Sequence, residues 1–166
     1  MEGELSMGDK LSEAQLESFL NQTCDSLRGD RDETAFMEYV IAILFLKRLN
    51  DRFNLDREIR RAKLTMSSLT PSQIEEDLER REVYRLFVPK IARWENVKLQ
   101  KDELGSYLMK AFAEIDAMNP DCLGLLNTID FNQRTEKGDN FMTSSDYIEL
   151  IKDFENLRLS DDNLAF

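Results

Sequence analysis

The chain has 166 residues, enough for one domain with a core of ordinary size. It carries 33 acidic residues against 22 basic ones, a net charge of −11, so it is not built to grip duplex DNA by itself. It contains no histidine, which excludes histidine-dependent triads, histidine metal ligands and the usual neutral-pH proton shuttle.

Only 6 glycines and 3 prolines are present and strand-type alternation is scarce, so helices are expected. The longest apolar run, Tyr39 to Leu46, is too short to span a bilayer and stops at Lys47-Arg48. No basic segment precedes an apolar stretch at the start, so no secretory signal is expected. Cys24 and Cys122 read as reduced thiols of a cytoplasmic protein.

Met1 to Lys10 reads as a disordered leader. A first helix is expected from Ser12 to about Leu27. Ser12 and Gln15 have capping-box spacing, and Leu16, Phe19, Leu20, Cys24 and Leu27 form one apolar stripe that Gly29 stops. Asp30 or Asp32 can cap the next helix, expected from about Glu33 to Phe53. Its middle is apolar on nearly all sides, as for a helix at the centre of a bundle. A basic segment follows, with Arg57, Arg60, Arg61 and Lys63.

Thr70-Pro71-Ser72-Gln73 is a clear helix start, and the charged helix it opens is expected to reach about Tyr84. Phe87 to Trp94 reads as an ordered turn, extended before Pro89. A helix is expected from about Lys101 to Met118, with Leu104, Leu108, Ala111, Phe112, Ile115 and Met118 as its apolar stripe, and Asn119-Pro120 ends it. One helical turn is expected at Leu123, Leu125 and Leu126, then a loop over Asn132 to Asn140. Ser144 or Ser145 caps a last helix that turns Tyr147, Leu150, Ile151, Phe154 and Leu157 inward. The expectation is all-α: a single multi-helix bundle over 11–159, with at most a minor extended segment near 86–94. Residues 160–166 read as a linker.

No catalytic constellation emerges. Asn119-Pro120-Asp121-Cys122 departs from the Asn-Pro-Pro-aromatic loop of amino-methylating enzymes, since the second proline and the aromatic are missing, and it reads as a helix terminator. Cys24 lies on the apolar stripe of its helix and has no histidine base, so it reads as a small core residue. Glu75-Glu76 and Asp161-Asp162 are sequence neighbours that read as solvated carboxylates. No catalytic, cofactor-binding or metal residue is assigned.

The basic positions are the candidates for contact. Lys47, Arg48 and Arg52 follow the apolar run, either as cations at the negative end of a helix or as contacts to phosphate or a partner's carboxylates. Arg93-Trp94 reads as a packing and cation–π unit that seats its turn, or as a ligand contact.

Taken in order, these residues resemble the N-terminal domain of the modification (methyltransferase) subunit of type I restriction–modification systems. The resemblance runs through Leu27-Arg28-Gly29, Leu44-Phe45-Leu46-Lys47-Arg48-Leu49, Asp51-Arg52-Phe53 and Phe87-Val88-Pro89. It continues through Ala92-Arg93-Trp94, Leu104-Gly105, Asn119-Pro120, Leu123-Gly124-Leu125-Leu126 and Asp130-Phe131 to Leu150-Ile151, covering roughly 11–159. What the resemblance implies is a domain that helps two methyltransferase subunits close around DNA and takes part in sensing methylation. The parent subunit would be an adenine-specific DNA methyltransferase using S-adenosylmethionine, its catalytic domain following Phe166 and acting on a flipped-out base. Its implied partners are a specificity subunit, a second modification subunit and a restriction subunit, with DNA met through the complex. Residues 1–166 alone would bind no cofactor and methylate nothing. Lys47, Arg48 and Arg93 would lie near the DNA edge or the inter-subunit seam, and charge reversal at Lys47 and Arg48 would weaken DNA binding by the complex without unfolding the domain.

Two rivals come from other classes. One is an acidic helical DNA mimic or anti-restriction protein; interleaved pairs such as Arg57-Glu58 and Glu79-Arg80-Arg81-Glu82 blur the array of carboxylates it would need. The other is a generic helical adaptor.

Overall fold

A computed structural model describes residues 10–122 and 128–160. Among them the fold is all-α, with six α-helices and three short 3-10 turns, and an isolated antiparallel bridge joins Arg134 and Asn140. The helices are α1 (Glu13–Leu27), α2 (Glu33–Thr65), α3 (Pro71–Leu78), α4 (Trp94–Val97), α5 (Leu104–Met118) and α6 (Ser144–Glu155). The expected leader (residues 1–9), the turn at Leu123, Leu125 and Leu126, and the linker (residues 161–166, with Asp161-Asp162) lie outside the described residues.

Local chemistry sets most helix starts. Ser12 and Gln15 form a reciprocal capping box on α1, and Thr70 and Gln73 do the same on α3 with proline in the first turn. The Asp32 carboxylate accepts the Ala35 N–H at 2.8 Å and caps α2. Past α1, Gly29 adopts φ +61°, the left-handed geometry that glycine allows at low cost.

The second helix organises the rest. At 33 residues it is about 50 Å long. Phe36, Val40, Ile43, Leu46 and Phe53 are buried along it, Phe53 against Tyr84 and Phe87, and the helix packs on α1, α4 and α6. Helix α5 packs on α6, contributing Leu104, Leu108, Phe112 and Ile115 to the same core as Tyr147, Leu150 and Phe154. Beyond Phe53 no residue of α2 is buried, and α3 packs along this outer half.

Four boundaries differ from the sequence reading. Helix α2 does not stop near Phe53 but continues through the basic segment to Thr65, because α3 faces Arg57, Arg60 and Arg61 with Glu79, Asp77 and Glu75. Helix α3 stops at Leu78 rather than Tyr84. There the Tyr84 hydroxyl donates to the Leu78 carbonyl at 2.8 Å and its ring packs on Phe53. Helix α5 begins at Leu104, not Lys101; Glu103 takes φ +51° and the Leu104 N–H donates to Ser144 Oγ. The cap of α6 is Thr143, in a capping box completed by Asp146.

Candidate functional site

The segment Phe87 to Trp94 is where the sequence candidates converge. It crosses α5 and α2 as extended chain, then a 3-10 turn at Lys90–Ala92, then α4. No strand pairs with it among the described residues, so side chains satisfy its backbone. Asn119, 1% exposed at the end of α5, accepts the Phe87 N–H at 2.9 Å and donates to the Phe87 carbonyl at 2.8 Å. Asn50, also 1% exposed, donates to the Ala92 carbonyl at 3.0 Å and accepts the Trp94 N–H at 2.7 Å. The Tyr107 hydroxyl donates to the Ile91 carbonyl at 2.7 Å.

Arg93 points inward and is 5% exposed. Its Nη1 and Nη2 donate to the two Glu79 oxygens at 3.0 and 2.7 Å, and its Nε donates to the Val88 carbonyl at 3.1 Å. The guanidinium also sits over Phe53 and Phe87, at 5.3 and 5.9 Å from the ring centroids. Burial works against the Glu79 carboxylate, but Arg93, Arg57 and Lys90 outweigh it and hold the carboxyl below its ordinary range.

Lys47 is equally enclosed. Its ammonium donates to Asp51 Oδ1 at 2.5 Å and to the Leu157 carbonyl at 2.7 Å, and it lies 5.7 Å from the centre of the buried Trp94 ring. One residue on, Arg48 donates to the Leu159 carbonyl, while Asp51 Oδ2 accepts the Leu159 N–H at 2.8 Å. Three residues of one face of α2 thus hold the backbone of 157–159, whose Leu157 and Leu159 are themselves buried. Arg52 pairs with Asp56 at 3.4 Å and keeps a side chain 42% exposed.

The five candidate residues therefore do not form one outward patch. Lys47, Arg93 and Trp94 lie inside, at the seam between α2 and the crossing segment; Arg48 holds the chain after α6; Arg52 lies on the surface. Sequence reasoning missed the two asparagines that fix the segment. Asn119 reads only as a helix stop and Asn50 carries no local signal of its role, because their partners lie 32 and 44 residues away. Cys24 is a buried free thiol, and burial, together with the Glu33 carboxylate, raises its pKa. Among the described residues no cluster could hold a metal ion, and no helix is long and apolar enough to cross a membrane.

The described residues form a helical bundle whose two buried cations, Lys47 and Arg93, are both held by groups of the same chain. The family model described as the HsdM N-terminal domain matches residues 16–154. The chain belongs to that family, the N-terminal domain of the methyltransferase (M) subunit of type I restriction–modification systems. A search of curated proteins returns no match.

Proposed function

We propose that this domain is the DNA-clamp and subunit-assembly element of an adenine-specific DNA methyltransferase subunit that uses S-adenosylmethionine. The catalytic part is carried by sequence beyond Phe166. In this reading the domain acts with a specificity subunit, a second modification subunit and a restriction subunit, and meets DNA only within that complex.

Family membership over residues 16–154 is the observation that supports the reading. The charge balance agrees with it. A body with net charge −11 is repelled by phosphate, so any hold on DNA has to come from placement by other subunits and from local cations. Arg52, with a side chain 42% exposed, is more accessible for that role than Lys47 or Arg93, each at 6%.

A DNA-mimic role fits less well. Glu75, Asp77, Glu79 and Asp146 are each held by an arginine, which breaks up a phosphate-like array.

The test is reconstitution of the whole modification subunit with its specificity subunit, with and without residues 1–160. Removing the domain is expected to abolish stable assembly on target DNA and reduce adenine methylation, while S-adenosylmethionine binding to the remainder persists. Unchanged assembly and methylation would overturn the reading.

A further inference from the structure

The chain is acidic as a whole, but its charge is unevenly placed. Between residues 57 and 98 stand ten basic residues and seven acidic ones, in a chain whose net charge is −11. The structure sharpens that contrast around the crossing segment. The Glu79 carboxylate is shared by Arg93 and Arg57, and Lys90 also favours its charge, so one anion stands among three cations. Arg81 donates to the Tyr84 carbonyl at 2.7 Å and to the Met118 carbonyl, neutral acceptors that leave its charge uncancelled. Arg85 and Lys90 are exposed and show no carboxylate partner among the described residues.

The backbone that carries Arg85 and Lys90 is fixed from beneath. Tyr84 and Phe87 pack on the Phe53 ring, with centroids 5.0 and 5.4 Å apart, and the Arg93 guanidinium lies over the same ring. Asn119 holds both backbone groups of Phe87, and the Tyr107 hydroxyl holds the Ile91 carbonyl. Pro89 restricts the chain immediately before Lys90. Phe87, Val88 and Pro89 are buried, while Arg85 and Lys90 on either side of them face solvent.

We infer that this outer side of the crossing segment is the phosphate-facing edge of the domain, with Arg85 and Lys90 as its contacts to the DNA backbone. The inference rests on the clamp reading above, which supplies DNA as the partner, and it names the surface through which that partner is met. Contact with phosphate needs charge held in position and no base-specific geometry, and two exposed cations on a fixed frame provide both. The uneven charge also sets orientation. Near a duplex the acidic remainder of the bundle is pushed outward, and the side built from residues 57–98 turns toward the phosphates. Lys47 and Arg93, enclosed by their own chain, are left to the fold.

The experiment is the salt dependence of target-DNA binding by the reconstituted modification and specificity subunits, for the parent, Arg85→Ala, Lys90→Ala and the double variant. Each single change should weaken binding at fixed salt at least about fivefold and lower the slope of log affinity against log salt by about 1, and the double variant by about 2. Non-target duplex should show the same losses, because phosphate contacts carry no sequence information. Lys90→Arg keeps the charge and should keep the slope. Lys137→Ala, at an exposed cation in the loop before α6, removes one charge elsewhere and should leave the slope alone. An unchanged slope in the double variant, or an equal drop in Lys137→Ala, would overturn the inference. So would failure of the double variant to assemble with the specificity subunit without DNA, which would put this edge at a protein seam. The complex lacking residues 1–160 tells the two readings apart. A slope that falls when the domain is removed but not in the double variant sinks the edge alone; a slope indifferent to the whole domain sinks the clamp reading with it.

Discussion

Asn50 Oδ1 accepts the backbone N–H of Trp94 at 2.7 Å, so a side chain in the middle of α2 performs for the crossing segment what a neighbouring strand would perform in a sheet. The same carboxamide donates to the Ala92 carbonyl at 3.0 Å and to the Leu46 carbonyl at 2.9 Å. Asn50→Ala therefore strands two buried backbone groups of the segment. It should destabilise the domain by about 2–4 kcal/mol. Urea unfolding followed by fluorescence of Trp94, the one tryptophan in the chain, measures this directly. A loss under half a kilocalorie would mean that water replaces the asparagine.

Lys47 and Arg48 are adjacent and both bind the backbone after α6, yet they should respond differently. Lys47 is 5% exposed, and Lys47→Met removes a charge-assisted bond from Asp51 and another from the Leu157 carbonyl. The expected cost is about 2–4 kcal/mol, and Lys47→Glu, which sets a second carboxylate beside Asp51, should cost more. Arg48 is half-buried, so Arg48→Ala should cost about 1 kcal/mol and mainly loosen the hold on Leu159. Thermal unfolding gives the first comparison and hydrogen exchange of the Leu159 amide the second. Charge reversal at Lys47 thus acts on the fold itself, whatever it does to DNA binding.

Glu79 makes stability depend on pH. Burial opposes its charge, but Arg93, Arg57 and Lys90 favour it more strongly, so its folded pKa lies below the ordinary glutamate value near 4.3. A depressed folded pKa gives stability that is fully present above the unfolded value and lost as pH falls through the folded one. The contribution should therefore fade below roughly pH 4.3 and leave neutral pH untouched. Glu79→Gln should be less stable at pH 7 but lose less stability on acidification than the parent. Parallel unfolding curves from pH 6 to pH 3 check this.

How far the sequence could be read depends on how local each cause is. Ser12 with Gln15 and Thr70 with Gln73 announce their helices because a cap acts over three residues. The far end of α2 was not legible in the same way. Arg57, Arg60 and Arg61 look like a basic linker until α3 folds back and supplies their carboxylates from 14 to 22 residues away. Lys47 and Arg93 illustrate the same point at the candidate site. Nothing within their own turns of chain says whether a cation faces solvent or a buried carbonyl; Leu157 and Glu79, far along the chain, decide it. Thr143 is less legible as a cap than Ser144 or Ser145, because its capping-box partner is Asp146 rather than the commoner glutamate or glutamine.

Gly105 ties the start of α5 to the loop before α6, and its replacement tests that packing. A Cβ built there would stand 2.6 Å from the Phe131 carbonyl oxygen and closer still to Asn132 Oδ1. Asn132 could swing away, since it is exposed and bonded to Ser106. Phe131 has little room. Its ring stacks on Phe112 with centroids 5.1 Å apart, and its carbonyl accepts the Tyr147 hydroxyl at 2.8 Å. Alanine in place of glycine favours a helix by up to about 1 kcal/mol, whereas forcing a methyl group into a packed site costs about 1–3 kcal/mol. Because the obstructing atom is backbone fixed by a buried ring, strain should win, and Gly105→Ala should lower the denaturant midpoint. The near-ultraviolet signal of the tyrosines should change with it as the Tyr147 bond lengthens. A higher midpoint would show that the Phe131 loop yields more readily than its stacking implies.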